Sequence, residues 1–426
     1  MSLDDLIKQP RSIQDTGIDG ELLVDLTLKH FYDCGVLDLR QIADRMALSG
    51  TVMESILDPL RKDSKVEVLA AKDNSAGVRF QLTDLGRYEA QHAFNRSAYI
   101  GRVPISIQHY RELVAEQSVF NGRITKAQLS EDFAGVVIEA ELLNQLGPAI
   151  HSGRAIMVYG VAGSGKTYIC KRMARSLGAP VHLPYAICVG REIIQFFDPL
   201  IHHPVYSVTE KATYQFQTQI DKRLILCERP VAISGGELGL DSLELQYDTT
   251  ARFNQAPIQL KANNGLYLVD DLGRQRISVM DLLNRWIVPM EEHVDYLTLG
   301  TGQHFPVPFD VVLIFSTNID PTELLDEAFL RRLGYKVKFS AIDKSAYSKI
   351  WANMCAVKNI AVETGVLEQV IEWYETKKRA FLPCQPRDLL EIGLNLAHFN
   401  NENAITKETM RLAWSTYFIE LKIKDE

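Results

Sequence analysis

The chain has 426 residues, of which 46% are hydrophobic and 23% are charged. This ordinary globular composition supplies enough apolar side chains for several buried cores and predicts two or three domains. It excludes a disordered, collagen-like or small disulfide-stapled protein. Because 46 Lys and Arg stand against 54 Asp and Glu, the net charge is −8, which disfavours binding of nucleic acid by the whole surface.

Cysteine usage and the N-terminus both predict a cytoplasmic protein. The six cysteines are scattered and none forms a Cys-x-x-Cys pair, so we expect reduced thiols rather than a zinc or redox site. The opening residues, MSLDDLIKQP, lack the basic start and apolar core of a signal peptide. No uncharged apolar run approaches 18 residues, so no membrane span is expected.

The N-terminal part divides into an arm and a small domain. Residues 1–18 are interpreted as a loose N-terminal arm. Between residues 19 and 95, three segments with helical spacing precede two alternating runs, KVEVLA and VRFQLT, which flank the turn KDNSAG. This order of three helices and a hairpin resembles the winged-helix family, and the resemblance is carried by the segments GVLDLRQIADRMAL and VRFQLTDLGRYEA.

Winged-helix domains bind either DNA or proteins. A DNA-reading third helix usually presents basic and amide side chains, whereas residues 49–63 mix Glu54, Asp58 and Asp63 with Arg61 and Lys62. Acidic residues also outnumber basic ones between residues 20 and 90. The charge balance therefore favours protein docking, and DNA binding stays open as the alternative.

The remaining chain predicts three further segments. Residues 96–125 are a connector, residues 126–340 alternate short apolar strands with helices, and residues 341–426 are helical. Alternation of strands and helices is typical of an α/β fold with a parallel sheet. We therefore predict an α/β core with a C-terminal helical lid and a small N-terminal winged-helix domain.

A phosphate-binding loop follows the first strand of this α/β segment. Residues 155–159 (AIMVY) predict a buried strand, and a helix pattern begins directly after the loop. The intervening G-x-x-x-x-G-K-T motif (the phosphate-binding loop) consists of Gly160, Val161, Ala162, Gly163, Ser164, Gly165, Lys166 and Thr167. Its glycines let backbone N–H groups approach phosphate oxygens, Lys166 supplies a cation for the β and γ phosphates, and Thr167 a hydroxyl ligand for Mg²⁺.

Two acids end a later apolar strand. In the segment LYLVDD, Asp270 is expected to hold Mg²⁺ and Asp271 to polarise the attacking water. Together with the phosphate-binding loop, this pair predicts ATP and Mg²⁺ as ligands and ATP hydrolysis as the reaction.

Residues 126–424, which contain these motifs, resemble the AAA+ ATPases. The resemblance implies that Asn318, at the end of VVLIFSTN, is the sensor-1 residue that orients water. It implies an arginine finger, Arg331 or Arg332, in DEAFLRRLGYKV, and a sensor-2 residue, Arg387, in PRDL. The family assembles rings, so it also implies a homo-oligomer, expected to be a hexamer, in which an arginine acts on the neighbouring subunit.

Three features depart from a minimal member of that family. The second acid is Asp271 where Glu is usual, and the shorter side chain predicts slow hydrolysis. Residues 230–234, 243–247 and 256–260 are expected to be strands of an insertion that resembles the helix-2 insert of the MoxR-type and sigma-54-activator branches. Residues 294–309 are expected to form a hairpin like the pre-sensor-1 hairpin of the same branches.

Other polar residues near these motifs are less specific. Arg274 and Arg285 are candidates for a second trans-acting arginine or for structural salt bridges, and His202, His203 and His304 are interpreted as surface or loop residues. The leading hypothesis is a ring ATPase that remodels a protein recruited by the winged helix. The alternatives are a DNA-associated loader or transcription regulator, an ATP-gated adaptor with little hydrolysis, and a P-loop kinase.

Overall fold

The computed structural model describes residues 2–69, 78–122, 124–205 and 220–418. The elements up to residue 116 are α1 (Leu3–Leu6), α2 (Gly20–Cys34), β1 (Leu37–Asp38), α3 (Leu39–Met46), α4 (Gly50–Lys62), β2 (Val66–Leu69), β3 (Arg79–Leu82), α5 (Asp84–Arg96), β4 (Ile105–Ser106) and α6 (Ile107–Glu116). The central elements are α7 (Lys126–Asp132), α8 (Ala140–His151), β5 (Ile156–Gly160), α9 (Lys166–Met173), β6 (Val181–Pro184), β7 (Ala186–Val189), β8 (Glu192–Gln195), β9 (Leu224–Cys227), β10 (Val231–Ser234), β11 (Gln246–Asp248), β12 (Phe253–Gln255), α10 (Ile258–Lys261), β13 (Gly265–Val269), α11 (Val279–Glu292), β14 (Val294–Thr298), β15 (His304–Pro308), β16 (Val311–Thr317), α12 (Pro321–Leu324), α13 (Glu327–Arg332) and β17 (Tyr335–Phe339). The last four helices are α14 (Lys344–Lys358), α15 (Val366–Thr376), α16 (Gln385–Phe399) and α17 (Lys407–Tyr417).

The centre of the molecule is a parallel sheet of five strands in the order β10-β13-β16-β5-β17. Strand β5 runs beside β16, with Met157 opposite Phe315, and β16 runs beside β13. The side chains of Ile156, Met157 and Val158 are fully buried, as expected for a parallel sheet that is covered by helices on both faces. The predicted α/β class with a parallel sheet is therefore confirmed.

Helices α2 to α5 and strands β1 to β3 form an N-terminal module. Strand β3 lies between β1 and β2, and both pairs are antiparallel. The helix starts are set by side-chain caps: Asp19 accepts from Leu22 N at 3.3 Å, and Ser49 accepts from Val52 N at 3.4 Å. The predicted turn KDNSAG lies outside the described residues.

Residues 2–18 pack against the body of the molecule, so the expectation of a loose arm is wrong. Leu6 is 2% exposed, and its carbonyl accepts a hydrogen bond from His109 Nε2 at 2.8 Å. The backbone N–H of Asp221 donates to Ile7 O at 2.7 Å. Helix α1 is thereby held against α6. Moving α1 away would expose the Leu6 side chain to water and lose the stabilisation that its burial provides.

A second sheet, in the order β11-β12-β8-β7-β4, was not predicted from the sequence. The connector contributes its strand β4, which pairs in parallel with β7 at Ile105 and Ile187. Ala186, Ile193 and Phe253 from this sheet pack into the same hydrophobic core as the helices of the N-terminal module. The module therefore rests on the second sheet.

The expected three-stranded insertion before the acidic strand is also corrected. Residues 231–234 form β10, which pairs in parallel with β13 from Val231 opposite Leu266 onward and is thus an edge strand of the central sheet. Residues 256–260 are not a strand, because Pro257 caps the start of α10. Of residues 243–247, Leu243 ends a 3-10 helix and β11 begins only at Gln246.

The hairpin predicted at 294–309 is present as β14 and β15, which pair from Val294 opposite Pro308 to Thr298 opposite His304. The C-terminal helices α14 to α17 surround an aromatic core in which the rings of Tyr374 and Trp414 meet edge to face at 4.9 Å. Across the described residues, none of the helices has the length and apolar character needed to cross a bilayer.

Candidate nucleotide-binding site

The phosphate-binding loop joins the end of β5 to the start of α9. Gly163 and Gly165 adopt φ of +81° and +87°, in the left-handed region that favours glycine. A Cβ at Gly160 would lie 2.0 Å from the carbonyl oxygen of Phe339 on β17. The glycines are therefore required by backbone conformation and by the close approach of the neighbouring strand.

Lys166 points back into the loop. Its Nζ donates to Gly160 O at 2.9 Å, to Val161 O at 3.1 Å and to Asn318 Oδ1 at 2.7 Å. The residue is only 6% exposed, and this burial lowers the pKa of Lys166, whereas the nearby carboxylates of Asp270 and Asp271 act in the opposite direction. A cation is thus held at the centre of the loop.

Thr167 and Asp270 supply two neighbouring oxygens at the predicted metal position. Thr167 Oγ1 donates to Asp270 Oδ2 at 2.7 Å. A hydroxyl and a carboxylate suit Mg²⁺, which binds through one or two protein oxygens and keeps phosphate and water ligands. No group of three or more His, Cys, Asp or Glu side chains in the described residues forms a cage that would hold a metal by itself. The donor set therefore fits a nucleotide-bound Mg²⁺.

Asn318 connects the loop to the second acid. While its Oδ1 accepts from Lys166, its Nδ2 donates to Asp271 Oδ1 at 2.8 Å. The strand order explains this contact, because β16 lies between β5 and β13 and all three strands end at the same edge of the sheet. The structure thus brings together Lys166, Thr167, Asp270, Asp271 and Asn318 at this edge of the sheet.

The candidate arginine fingers lie on α13, away from these contacts. Arg331 pairs with Glu327 at 2.8 Å, and its side chain is 77% exposed. Arg332 Nε pairs with Glu291 at 2.8 Å. Their guanidinium groups are therefore on the surface and do not join the cluster around Lys166 in the described part of the chain.

Arg387 lies in the first turn of α16 and pairs with its neighbour Asp388 at 2.8 Å. The residues just before this helix touch the phosphate-binding loop: Cys384 N donates to Gly163 O at 3.3 Å. A Cβ added at Gly163 would lie 2.5 Å from Cys384 Sγ. The contact at Cys384 was not predicted, since nothing in the local sequence signals that a lid residue meets the loop.

Two other predictions are resolved by the contacts. Arg285 bonds Asp295 Oδ1 at 2.7 Å and Glu244 Oε1 at 2.9 Å, so it ties β14 to the segment after the 3-10 helix as a structural residue. His202 is fully buried rather than at the surface. Its Nδ1 accepts from Asp198 N at 2.9 Å, and its ring stacks on Phe196.

Comparison with known proteins gives distant likenesses. A model of the domain of unknown function DUF8689 matches residues 343–416, and no curated protein sequence matches the chain. NtrX from Brucella abortus is 12% identical with a TM-score of 0.42, and the match covers 71% of this chain and 60% of NtrX. RuvB from Thermotoga maritima, a Holliday junction branch migration motor, is 10% identical with a TM-score of 0.37, and the match covers 71% of this chain and 74% of RuvB. Likenesses this distant carry no conclusion about activity, so function is derived below from the site itself.

Proposed function

We propose that the chain is an AAA+ ATPase that binds and hydrolyses ATP at the subunit interfaces of a homo-oligomeric ring. In this proposal its task is to remodel a protein partner, which the N-terminal module recruits as a winged-helix domain. The observation that carries the proposal is the contact of Asn318 with both Lys166 and Asp271, beside the Thr167–Asp270 pair. This arrangement combines a phosphate-binding cation, a metal-binding pair and a water-orienting amide at one sheet edge.

Each of these groups has one role in the proposed reaction. The backbone N–H groups of the loop and the Lys166 ammonium bind the β and γ phosphates, and Mg²⁺ on Thr167 and Asp270 neutralises phosphate charge when it is bound. Asp271 and Asn318 orient a water molecule, whose oxygen forms a bond to the γ-phosphorus as the bond from that phosphorus to the ADP oxygen breaks. The Asp271 carboxylate accepts the proton that the water loses.

Exposed Arg331 and Arg332 are the proposed trans-acting groups. A guanidinium that reaches the γ-phosphate of ATP bound to a neighbouring subunit stabilises the charge of the transition state. Hydrolysis then depends on assembly of the oligomer. Arg387, in the C-terminal helical lid, is proposed to respond to the state of the bound nucleotide. The contact of nearby Cys384 with Gly163 of the phosphate-binding loop supports this role. The six free cysteines support a cytoplasmic location.

The deciding experiment is the ATPase rate per subunit of the full chain, measured from nanomolar to tens of micromolar protein. A rate per subunit that rises steeply with concentration supports sites completed between subunits. A flat rate, together with a monomer by sizing, contradicts the ring. The absence of turnover at every concentration, with ATP still bound, favours the second candidate function, an ATP-gated adaptor, which is motivated by the short Asp271 side chain.

DNA association is the other alternative for the N-terminal module. In α4, Arg61 pairs with Asp58 at 3.5 Å, so part of the positive charge of this helix is already neutralised. Protein docking is therefore preferred. Binding of the full chain to duplex DNA, with affinity that falls steeply as salt is raised, would contradict this preference.

A further inference from the structure

Gln275 makes the largest set of side-chain contacts in the turn that follows the acidic strand (residues 270–275, the acidic turn). Its Nε2 donates to Asp270 O at 2.9 Å and to Asp271 O at 3.2 Å, and its Oε1 accepts from Gly273 N at 2.8 Å. Nε2 also lies 3.5 Å from Gly235 O, in the segment that follows β10. One amide therefore bridges the backbone of three residues of the turn and approaches the neighbouring strand end.

The acidic turn contains a conformation that needs such support. Asp271 adopts φ of +52°, which non-glycine residues rarely adopt. A residue held there is strained, and the conformation persists only when its surroundings over-determine it. The surroundings here include the two-way amide contacts of Gln275 and the hydrogen bond from Leu272 N to Ser316 O at 2.7 Å. The backbone of Asp271 is also held directly, because its N–H donates to Asp270 Oδ1 at 3.1 Å and its carbonyl accepts from Arg274 N at 3.0 Å.

This backbone conformation sets the direction of the Asp271 carboxylate. In this conformation, Asp271 Oδ1 accepts a hydrogen bond from Asn318 Nδ2 at 2.8 Å. Aspartate has only two side-chain torsions, so little freedom remains to correct an error in the direction of its Cα–Cβ bond. If the turn relaxes to an ordinary negative φ, the carboxylate moves away from Asn318.

We propose that Gln275 is a positioning residue for ATP hydrolysis, which fixes the acidic turn so that the Asp271 carboxylate meets Asn318 and the attacking water. The inference rests on the proposed function, because it assigns Gln275 a part in the same site. Within the described residues, the side-chain hydrogen bonds of Gln275 are with Gly235, Asp270, Asp271 and Gly273, and none is with the phosphate-binding loop. Gln275 therefore acts on turnover and not on nucleotide binding.

The test compares Gln275→Ala, Gln275→Glu and the wild-type full chain. Gln275→Glu retains an acceptor for Gly273 N but cannot donate to the two carbonyls. A misplacement of about 1 Å can cost on the order of 10²-fold, so we expect kcat to fall between about tenfold and 100-fold in both variants. KM for ATP and the Kd of a fluorescent ATP analogue are expected to stay unchanged. Gln108→Ala, on the exposed face of α6, is the matched control.

A double variant separates positioning from a general loss of structure. If Gln275 acts through Asp271, adding Gln275→Ala to Asp271→Asn lowers kcat no further. Additive losses, a weakened Kd for the analogue, or an unchanged kcat in Gln275→Ala would each overturn the inference while leaving the ATPase proposal intact. A wild-type chain without turnover would instead overturn the hydrolytic function and this inference with it.

Discussion

The side-chain amide of Asn318 joins Lys166 in the phosphate-binding loop to Asp271 at the end of a different strand. Its Oδ1 accepts from Lys166 Nζ at 2.7 Å and its Nδ2 donates to Asp271 Oδ1 at 2.8 Å. An amide can bridge a cation and a carboxylate in this way because one end only accepts and the other only donates. The orientation of Asn318 is therefore fixed by its two charged neighbours.

Replacement of Asn318 tests this relationship. In Asn318→Asp the second oxygen faces the Asp271 carboxylate and repels it, whereas Asn318→Ala only removes the bridge. We expect turnover to fall in both variants by about tenfold or more, and to fall further in Asn318→Asp. Steady-state ATPase assays measure this, with Asn121→Ala as an exposed control. Equal rates in the wild-type and Asp variants would mean that the amide does not orient the second acid.

Lys166→Ala is expected to abolish nucleotide binding. The lysine is the buried cation of the loop, and removal of one partner from a buried charged contact costs at least about 2 kcal/mol. We therefore expect affinity for a fluorescent ATP analogue to drop at least about 30-fold. Lys171→Ala on the exposed side of the same helix serves as the control. Retained affinity in Lys166→Ala would place the nucleotide elsewhere.

Asp271→Asn is expected to bind ATP and hold it unhydrolysed. Asparagine keeps the size of the side chain and removes the basic carboxylate, and general-base catalysis contributes on the order of 10² to 10⁴ in rate. Rapid filtration after incubation with labelled ATP distinguishes trapped ATP from ADP. Exposed Asp63→Asn, at the end of α4, is the control, and normal hydrolysis by Asp271→Asn would show that another group accepts the proton.

Much of the site could be predicted from the sequence because its signals are local. The glycines, Lys166 and Thr167 lie within eight consecutive positions, Asp270 and Asp271 follow a buried apolar strand, and Asn318 follows the buried strand VVLIFST. The second sheet could not be predicted in the same way, because β4 pairs with β7 across about 80 residues of chain. Gln275 and Cys384 were missed for the same reason: the turn or loop that gives each its importance appears only after folding.

The exposed arginines of α13 give a test of assembly. Arg331→Ala or Arg332→Ala is expected to leave ATP binding intact and to lower turnover on the order of 10³-fold for the residue that acts in trans. Mixing that variant with Lys166→Ala should restore turnover, because one subunit supplies the nucleotide site and the other the arginine. Arg411→Ala, in a comparable surface pair with Glu408, is the control. An arginine variant with full turnover removes that residue from consideration.

The contact between lid and loop predicts the behaviour of Gly163→Ala. The added Cβ would lie 2.5 Å from Cys384 Sγ, and φ of +81° is unfavourable for alanine. We expect weaker ATP binding and a lower melting temperature. Backbone strain accounts for about 1–2 kcal/mol of the lost stability, and the clash with Cys384 adds to it. Adding Cys384→Ala should recover the part due to the clash. Gly122→Ala, where a Cβ meets nothing within 4 Å, is the control, and no recovery by Cys384→Ala would argue against close lid packing.

Buried His202 predicts a loss of stability on acidification. Its Nδ1 accepts from Asp198 N and its Nε2 lies 2.9 Å from Lys261 O, to which it donates, so the folded state has no place for a second ring proton. Burial lowers the pKa of His202 from 6.5 to about 4. The unfolded chain therefore binds the proton more readily than the folded chain between pH 6.5 and 4, and folding weakens as pH falls through this window.

The shift corresponds to about 3 kcal/mol of unfolding free energy lost between pH 6.5 and pH 4. Denaturant titrations across this range should show a shallower pH dependence in His202→Asn than in the wild-type chain, although the variant is less stable near neutral pH. His398→Asn, at an exposed position on α16, should keep the wild-type slope. Parallel pH profiles for His202→Asn and wild type would mean that the imidazole is protonated in the fold, and that its contacts with Asp198 and Lys261 rearrange to allow it.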